Sequence, residues 1–136
     1  MTYLLDTNTC IVYLNGTGVG VLKKLQGLPA EEIAVCSVVK AELFFGAQKS
    51  TRPDRTLAKQ KSFLDRYISL PFDDHAAEKY GGIRARLAAQ GKPIGPYDLM
   101  IAAIALANDL TLVSHNTREF GRVEGLRIQD WEAVSQ

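Results

Sequence analysis

The chain has 136 residues, 46% of them apolar and 23% charged, with a formal net charge of +1. That is enough for one domain with one core, here expected over residues 1–136, and the composition excludes a disordered or fibrous chain. No apolar run approaches the ~20 residues that span a bilayer, Asp6 breaks the apolar start of any signal peptide, and no overall basic field marks a nucleic-acid binder; a cytoplasmic protein is expected.

Tyr3, Leu4 and Leu5 form a short apolar run that stops at Asp6. Ile11, Val12 and Leu14 then appear at helical spacing, so a buried strand ends in a carboxylate and a helix begins at Thr7 and runs to Asn15. Thr17 is read as the cap of a second helix carrying Val19, Val21, Leu22 and Leu25 and closing at Gly27. Ile33–Cys36 is the second strand, and Ser37 is read as the cap of a helix over Val38–Lys49. That helix is apolar almost all round and is expected to be largely buried. Pro53 sits in the first turn of the next helix, whose inward side is read as Leu57, Phe63, Leu64, Tyr67 and Ile68. Ser69–Phe72 contains Pro71 and reads as an edge strand.

Asp73 caps a long helix with Ala76, Ala77, Tyr80, Ile83 and Leu87 as its stripe, ending at Gly91. After the Lys92–Pro96 loop, Tyr97–Ala107 is an apolar, small-sided helix suited to the centre of a fold. Leu110–Ser114 is a further buried strand, Leu126–Ile128 a last short one, and Trp131 an anchor for the tail. Strands alternating with helices give an α/β fold, a parallel sheet flanked by helices on both faces.

Cys10 and Cys36 lie among apolar residues without ligand spacing and read as buried small hydrophobes. His75 and His115 have no partner at i+3 or i+4, which argues against zinc. Basic residues gather in three groups, Arg52–Arg66, Arg84–Lys92 and Arg118–Arg127. Singly, each reads as a solvated helix face.

The acids are more informative. Asp6 ends the first strand, Glu42 lies in the helix after the second, Asp98 opens the helix before the fourth strand, and Asn116 and Glu119 follow that strand. Parallel strands point their C-terminal ends the same way, and ligands of such sheets bind there. Each residue also has a plain structural explanation. Asp6 can cap a helix, Asp98 can answer a helix dipole, Asn116 can make a turn and Glu119 can be solvated. Glu42 fits such an explanation least. It stands inside an apolar helix with Val38, Val39, Phe45 and Gly46 at i±3 and i±4, and a carboxylate there needs a partner or a metal.

Three acids in one pocket repel, and a divalent cation removes the repulsion. Hard oxygen donors with open positions suit Mg²⁺ or Mn²⁺. Such an ion activates water and neutralises phosphoryl charge, so the chemistry indicated is metal-assisted phosphodiester hydrolysis. A haloacid-dehalogenase-type phosphatase also starts with a strand ending in Asp, but its second acid is missing where Asn8 stands. A binding or regulatory module without chemistry is the other alternative.

Four segments carry a resemblance: Leu4–Ile11, Ser37–Ala47, Gly95–Ala102 and Leu112–Phe120. Together with Gly125–Trp131 they closely resemble the PIN-domain ribonucleases of the VapC toxin family, most nearly the branch that cleaves initiator tRNA. The resemblance implies a PIN fold and Mg²⁺-dependent RNA cleavage. It also implies a VapB-type antitoxin whose C-terminal segment occupies the groove, and homodimers within a toxin–antitoxin hetero-oligomer. rRNA and mRNA are the alternative targets. Asp6, Glu42 and Asp98 match the family's acids, with Asp6 and Asp98 as metal ligands. Asn8 and Asn116 match polar positions lining the site. Asn116 departs from the acid many PIN domains carry there, and Glu119 can substitute, so one well-occupied ion is expected.

Overall fold

The computed structural model describes residues 1–132. Tyr3–Leu5 (β1) passes directly into Thr7–Leu14 (α1), and Val19–Gly27 (α2) follows. A short 3₁₀ turn at Ala30–Glu32 leads to Ile33–Cys36 (β2), Ser37–Gln48 (α3) and Pro53–Leu64 (α4). Then come Ile68–Leu70 (β3), Asp74–Ala89 (α5), Pro96–Ala107 (α6), Thr111–Val113 (β4), Thr117–Phe120 (α7) and Ile128–Gln129 (β5).

The strands form one parallel sheet in the order β3-β2-β1-β4-β5. β1 is therefore central, with Tyr3 opposite Ile33 of β2 and Leu5 opposite Val113 of β4. Leu4, Leu5, Val35, Leu112 and Val113 are fully buried. A parallel strand covered on both faces needs no polar alternation, which is why these runs are continuously apolar. Each such side chain contributes about 1.5–3 kcal/mol by leaving water. β3 is an edge strand, as its neighbouring proline requires. In α6, Ile101 to Ala105 are all buried, and the alanines among them let α5 pack along it closely.

Several local readings change. Ser37 and Thr17 cap nothing. α3 starts at Ser37 after an extended Cys36, and Gly18 precedes α2; neither helix has a side-chain cap. The Thr17 hydroxyl instead lies 3.4 Å from the Val12 carbonyl. α3 is not largely buried. Val38, Val39, Leu43 and Ala47 face the core, while Phe45 is 63% exposed. α4 closes at Leu64, so Ile68 belongs to β3 and is 52% exposed. Ala77 is exposed, and the stripe of α5 is Ala76, Tyr80, Ile83 and Leu87. β5 sits later than Leu126 because its register is set by pairing Leu112 with Ile128.

Other readings stand. Asp73 accepts from the Ala76 amide at 2.9 Å and caps α5. α5 closes at Gly91, whose φ of +65° is left-handed and suits glycine. Trp131 is buried edge-on against Tyr3 with ring centroids 5.2 Å apart. Cys10 and Cys36 are buried, and burial pushes both thiols up, Cys36 to about 11, so both stay protonated and inert. No described helix is long and apolar enough to cross a membrane.

Candidate active site

Asp6 is the first residue past β1, and its amide donates to the Val113 carbonyl of β4 at 3.1 Å. Only 4% of it is exposed. Its Oδ1 accepts from the Thr9 amide at 2.8 Å, so Asp6 caps α1. The Ser114 hydroxyl, just past β4, also donates to its carboxylate. Burial pushes the carboxyl up most, hydrogen bonds from Ser114 and Thr9 hold it back, and Glu42 adds like-charge repulsion. The capping and site readings of Asp6 therefore coincide in one side chain.

Asp98 lies in the first turn of α6 and is half-buried. Its carboxyl is pushed up to about 6, by burial first and then by Asp6, Glu42 and Glu119. The charges that push it up are all carboxylates. The four acids have thus been brought together from four separate segments of chain. Glu42 is not the buried acid its apolar helix suggested. It is half-buried, because α3 turns only one side to the core, and its Oε1 accepts from the Thr7 hydroxyl at 2.6 Å.

The supporting positions differ. Glu119, in α7, is half-buried and within electrostatic reach of Asp98. Asn116 precedes α7, and its amide donates to the Ser114 hydroxyl at 3.0 Å. It is tied to Asp6 through that serine. Asn8 is exposed in the first turn of α1. Sequence reasoning passed over Thr7 and Ser114. Ser114 was detectable as the polar residue beside Asp6 once β1 and β4 pair, but the 35-residue reach of Thr7 to Glu42 leaves no local signal.

The donor set fits a hard divalent cation: carboxylate oxygens, mutually repelling, half-open to solvent. Asp6, Glu42 and Asp98 do not form a trio with all ligand atoms within 4.8 Å of one another. A divalent cation held by these acids would keep water in part of its shell, as Mg²⁺ commonly does. Such a tight trio does occur elsewhere, around His115, whose partners lie 15 and 17 residues on rather than at i+3 or i+4. His115, Asp130 and Glu132 have ligand atoms within 4.8 Å, and the His115 Nδ1 lies 2.9 Å from Asp130 Oδ2. The Asp130 hydrogen bond raises the pKa of that exposed imidazole.

Glu42 lines two grooves of about 490 Å³ each. One also holds Arg52, Arg55 and Lys59, and the other is apolar, with Phe45, Tyr97 and Met100. Of the three basic groups, the first thus shares a groove with one of these acids. In the others, Arg84 bonds the Tyr80 hydroxyl, Arg86 pairs with Glu124 and Arg127 pairs with Asp109.

Comparison with known proteins places this geometry. Residues 3–126 match the model of the PIN domain. The chain is 43% identical over 131 residues to the tRNA(fMet)-specific endonuclease VapC of Shigella flexneri, covering 96% of this chain and 98% of that one. The crystal structure of DNA-bound VapBC from Salmonella typhimurium superposes with a TM-score of 0.91 at 40% identity, covering 96% of this chain and 98% of that chain. VapBC2 from Rickettsia felis, bound to a fragment of its promoter DNA, gives 0.90 at 34% identity, over 96% of this chain and 99% of that chain. With four acids gathered at the strand ends of such a sheet, the chain belongs to the PIN-domain family, within its VapC members.

Proposed function

We propose that this protein is the toxin of a VapBC-type toxin–antitoxin pair, a metal-dependent endoribonuclease acting in the cytoplasm on tRNA, with initiator tRNA the favoured substrate. The observation that carries the reading is the convergence of Asp6, Glu42, Asp98 and Glu119 from four segments of chain, close enough for the other three to push the Asp98 carboxyl up. The fold gains nothing from such an arrangement in the absence of an ion. The choice of tRNA rests on the endonuclease relative, and the choice of a VapB-type antitoxin on the VapBC complexes. Homodimers within the toxin–antitoxin complex belong to the same reading.

Asp6 and Asp98 would hold the ion, Mg²⁺ or Mn²⁺, and Glu42 would complete its surroundings or orient the attacking water. A bound divalent cation supplies a more acidic water and charge neutralisation at the scissile phosphate. Asp98 must lose its proton to serve, which it does above about pH 6. Ser114 favours the ionised form of Asp6 by donating to it, against the opposing effect of burial. Glu119 and Asn116 would line the α7 side of the pocket, and Asn8, exposed in the first turn of α1, would be open to RNA. Arg52, Arg55 and Lys59 line the groove beside Glu42, where they would meet phosphates and give salt-dependent binding.

The test is cleavage of total cellular RNA by purified, antitoxin-free protein, with Mg²⁺ and then with EDTA, reading the cuts by end-mapping. A discrete cut in initiator tRNA that EDTA abolishes is the expected result. A metal-dependent cut in rRNA or mRNA would overturn the substrate and keep the mechanism. No cutting by folded, metal-loaded protein would sink the nuclease reading.

A further inference from the structure

We infer that Thr7 is a positioning residue for Glu42, a role resting on the metal-dependent nuclease reading above. Thr7 follows Asp6 directly, as the first residue of α1. The cap of that helix is supplied by Asp6, so the Thr7 hydroxyl is not needed for capping. It donates instead to Glu42 Oε1 at 2.6 Å, across 35 residues of chain. No basic side chain forms a hydrogen bond or ion pair with Glu42 among the described residues. A half-buried glutamate on a helix has three rotatable side-chain bonds and no preferred bearing of its own. A short bond to a carboxylate is among the stronger hydrogen bonds. With Oε1 held by a β-branched, stiff threonine, the carboxylate is restrained beside Asp6 and Asp98, within electrostatic reach of both. The segment that supplies Asp6 thereby also aims Glu42, so β1 and α3 deliver their acids in register.

The alternative is that the bond merely ties α1 to α3. Thr7→Val removes the hydroxyl and keeps the shape, while Thr7→Ser keeps the hydroxyl. The measurements are Mn²⁺ affinity by calorimetry, kcat and KM on RNA, and Tm. Thr7→Val is expected to weaken Mn²⁺ about 10-fold and lower kcat about 10–100-fold at nearly constant KM, the usual cost of losing a residue that orients a metal-site carboxylate. Thr7→Ser should restore both. In a Glu42→Gln background, Thr7→Val should add no further loss. Unchanged Mn²⁺ affinity and kcat in Thr7→Val would overturn the inference. So would an equal added loss in the Glu42→Gln background, or a fall in Tm that accounts for the defect and that serine does not repair. If the wild type binds Mn²⁺ but cuts no RNA, the nuclease reading falls and the Mn²⁺ titration still decides the role of Thr7. If the wild type binds no Mn²⁺, both fall.

Discussion

Two charged regions of this molecule are built on opposite rules. On the solvent side, unlike charges pair: Arg127 with Asp109 and Arg86 with Glu124. At the C-terminal ends of β1 and β4, like charges converge, and Asp6 among them is almost wholly buried. The first arrangement is what a fold does with charge when nothing else is asked of it. The second costs stability and is explained by a ligand that reverses the sign. The comparison therefore predicts that charge removal has opposite consequences in the two places.

The largest effect expected is on chemistry. Asp6→Asn and Asp98→Asn should each lower RNA cleavage about 1000-fold, the equivalent of several kcal/mol of transition-state stabilisation. Single-turnover cleavage measures it, and retained activity in both variants would erase the distinction between the two regions.

Stability should move the other way. The folded state holds a proton on Asp98 that the unfolded chain has already released, since the carboxyl is raised from 3.8 to about 6. This contribution is fully present below pH 3.8, shrinks as pH rises, and is lost above about 6. In EDTA at pH 7.5, Asp98→Asn should therefore be more stable than wild type, by about 1–2 kcal/mol after allowing for solvent screening. Urea unfolding at pH 4 and 7.5 checks the sign. Adding Mg²⁺ should stabilise wild type and leave the variant little changed.

A smaller effect sharpens the role of the polar surround. Ser114→Ala takes away a hydrogen bond that lowers the Asp6 carboxyl, so that carboxyl should rise further. Cleavage should fall about 10-fold or more at low pH, and the loss should shrink as pH rises and the carboxyl ionises. A pH profile parallel to wild type would remove Ser114 from the account. Least of all, Glu124→Ala breaks the exposed pair with Arg86 and should change unfolding free energy by under about 0.5 kcal/mol. A larger loss would mean that the paired rim is structural after all.

By itself the sequence determined the architecture and the cast of acids. Continuous apolar runs marked the central strands, the Asp73 cap and Gly91 bounded α5, and Asp6, Glu42 and Asp98 stood out by position. These are short-range signals, because helix and strand periods, caps and turns depend on residues a few places apart. Readings that depended on which side of a helix meets the core were less secure. Ser37 and Thr17 resembled caps but make none, Ile68 left its helix for an edge strand, and α3 kept a wet face that puts Glu42 on the pocket's rim. Only the tertiary structure brought His115 to Asp130, put Arg52, Arg55 and Lys59 in a groove with Glu42, and set Thr7 against Glu42. His115 and Asp130 are 15 residues apart and Thr7 and Glu42 are 35 apart, while the basic groove forms where α4 folds back on α3; these meetings are decided by strand order and helix packing, which leave no local pattern to read.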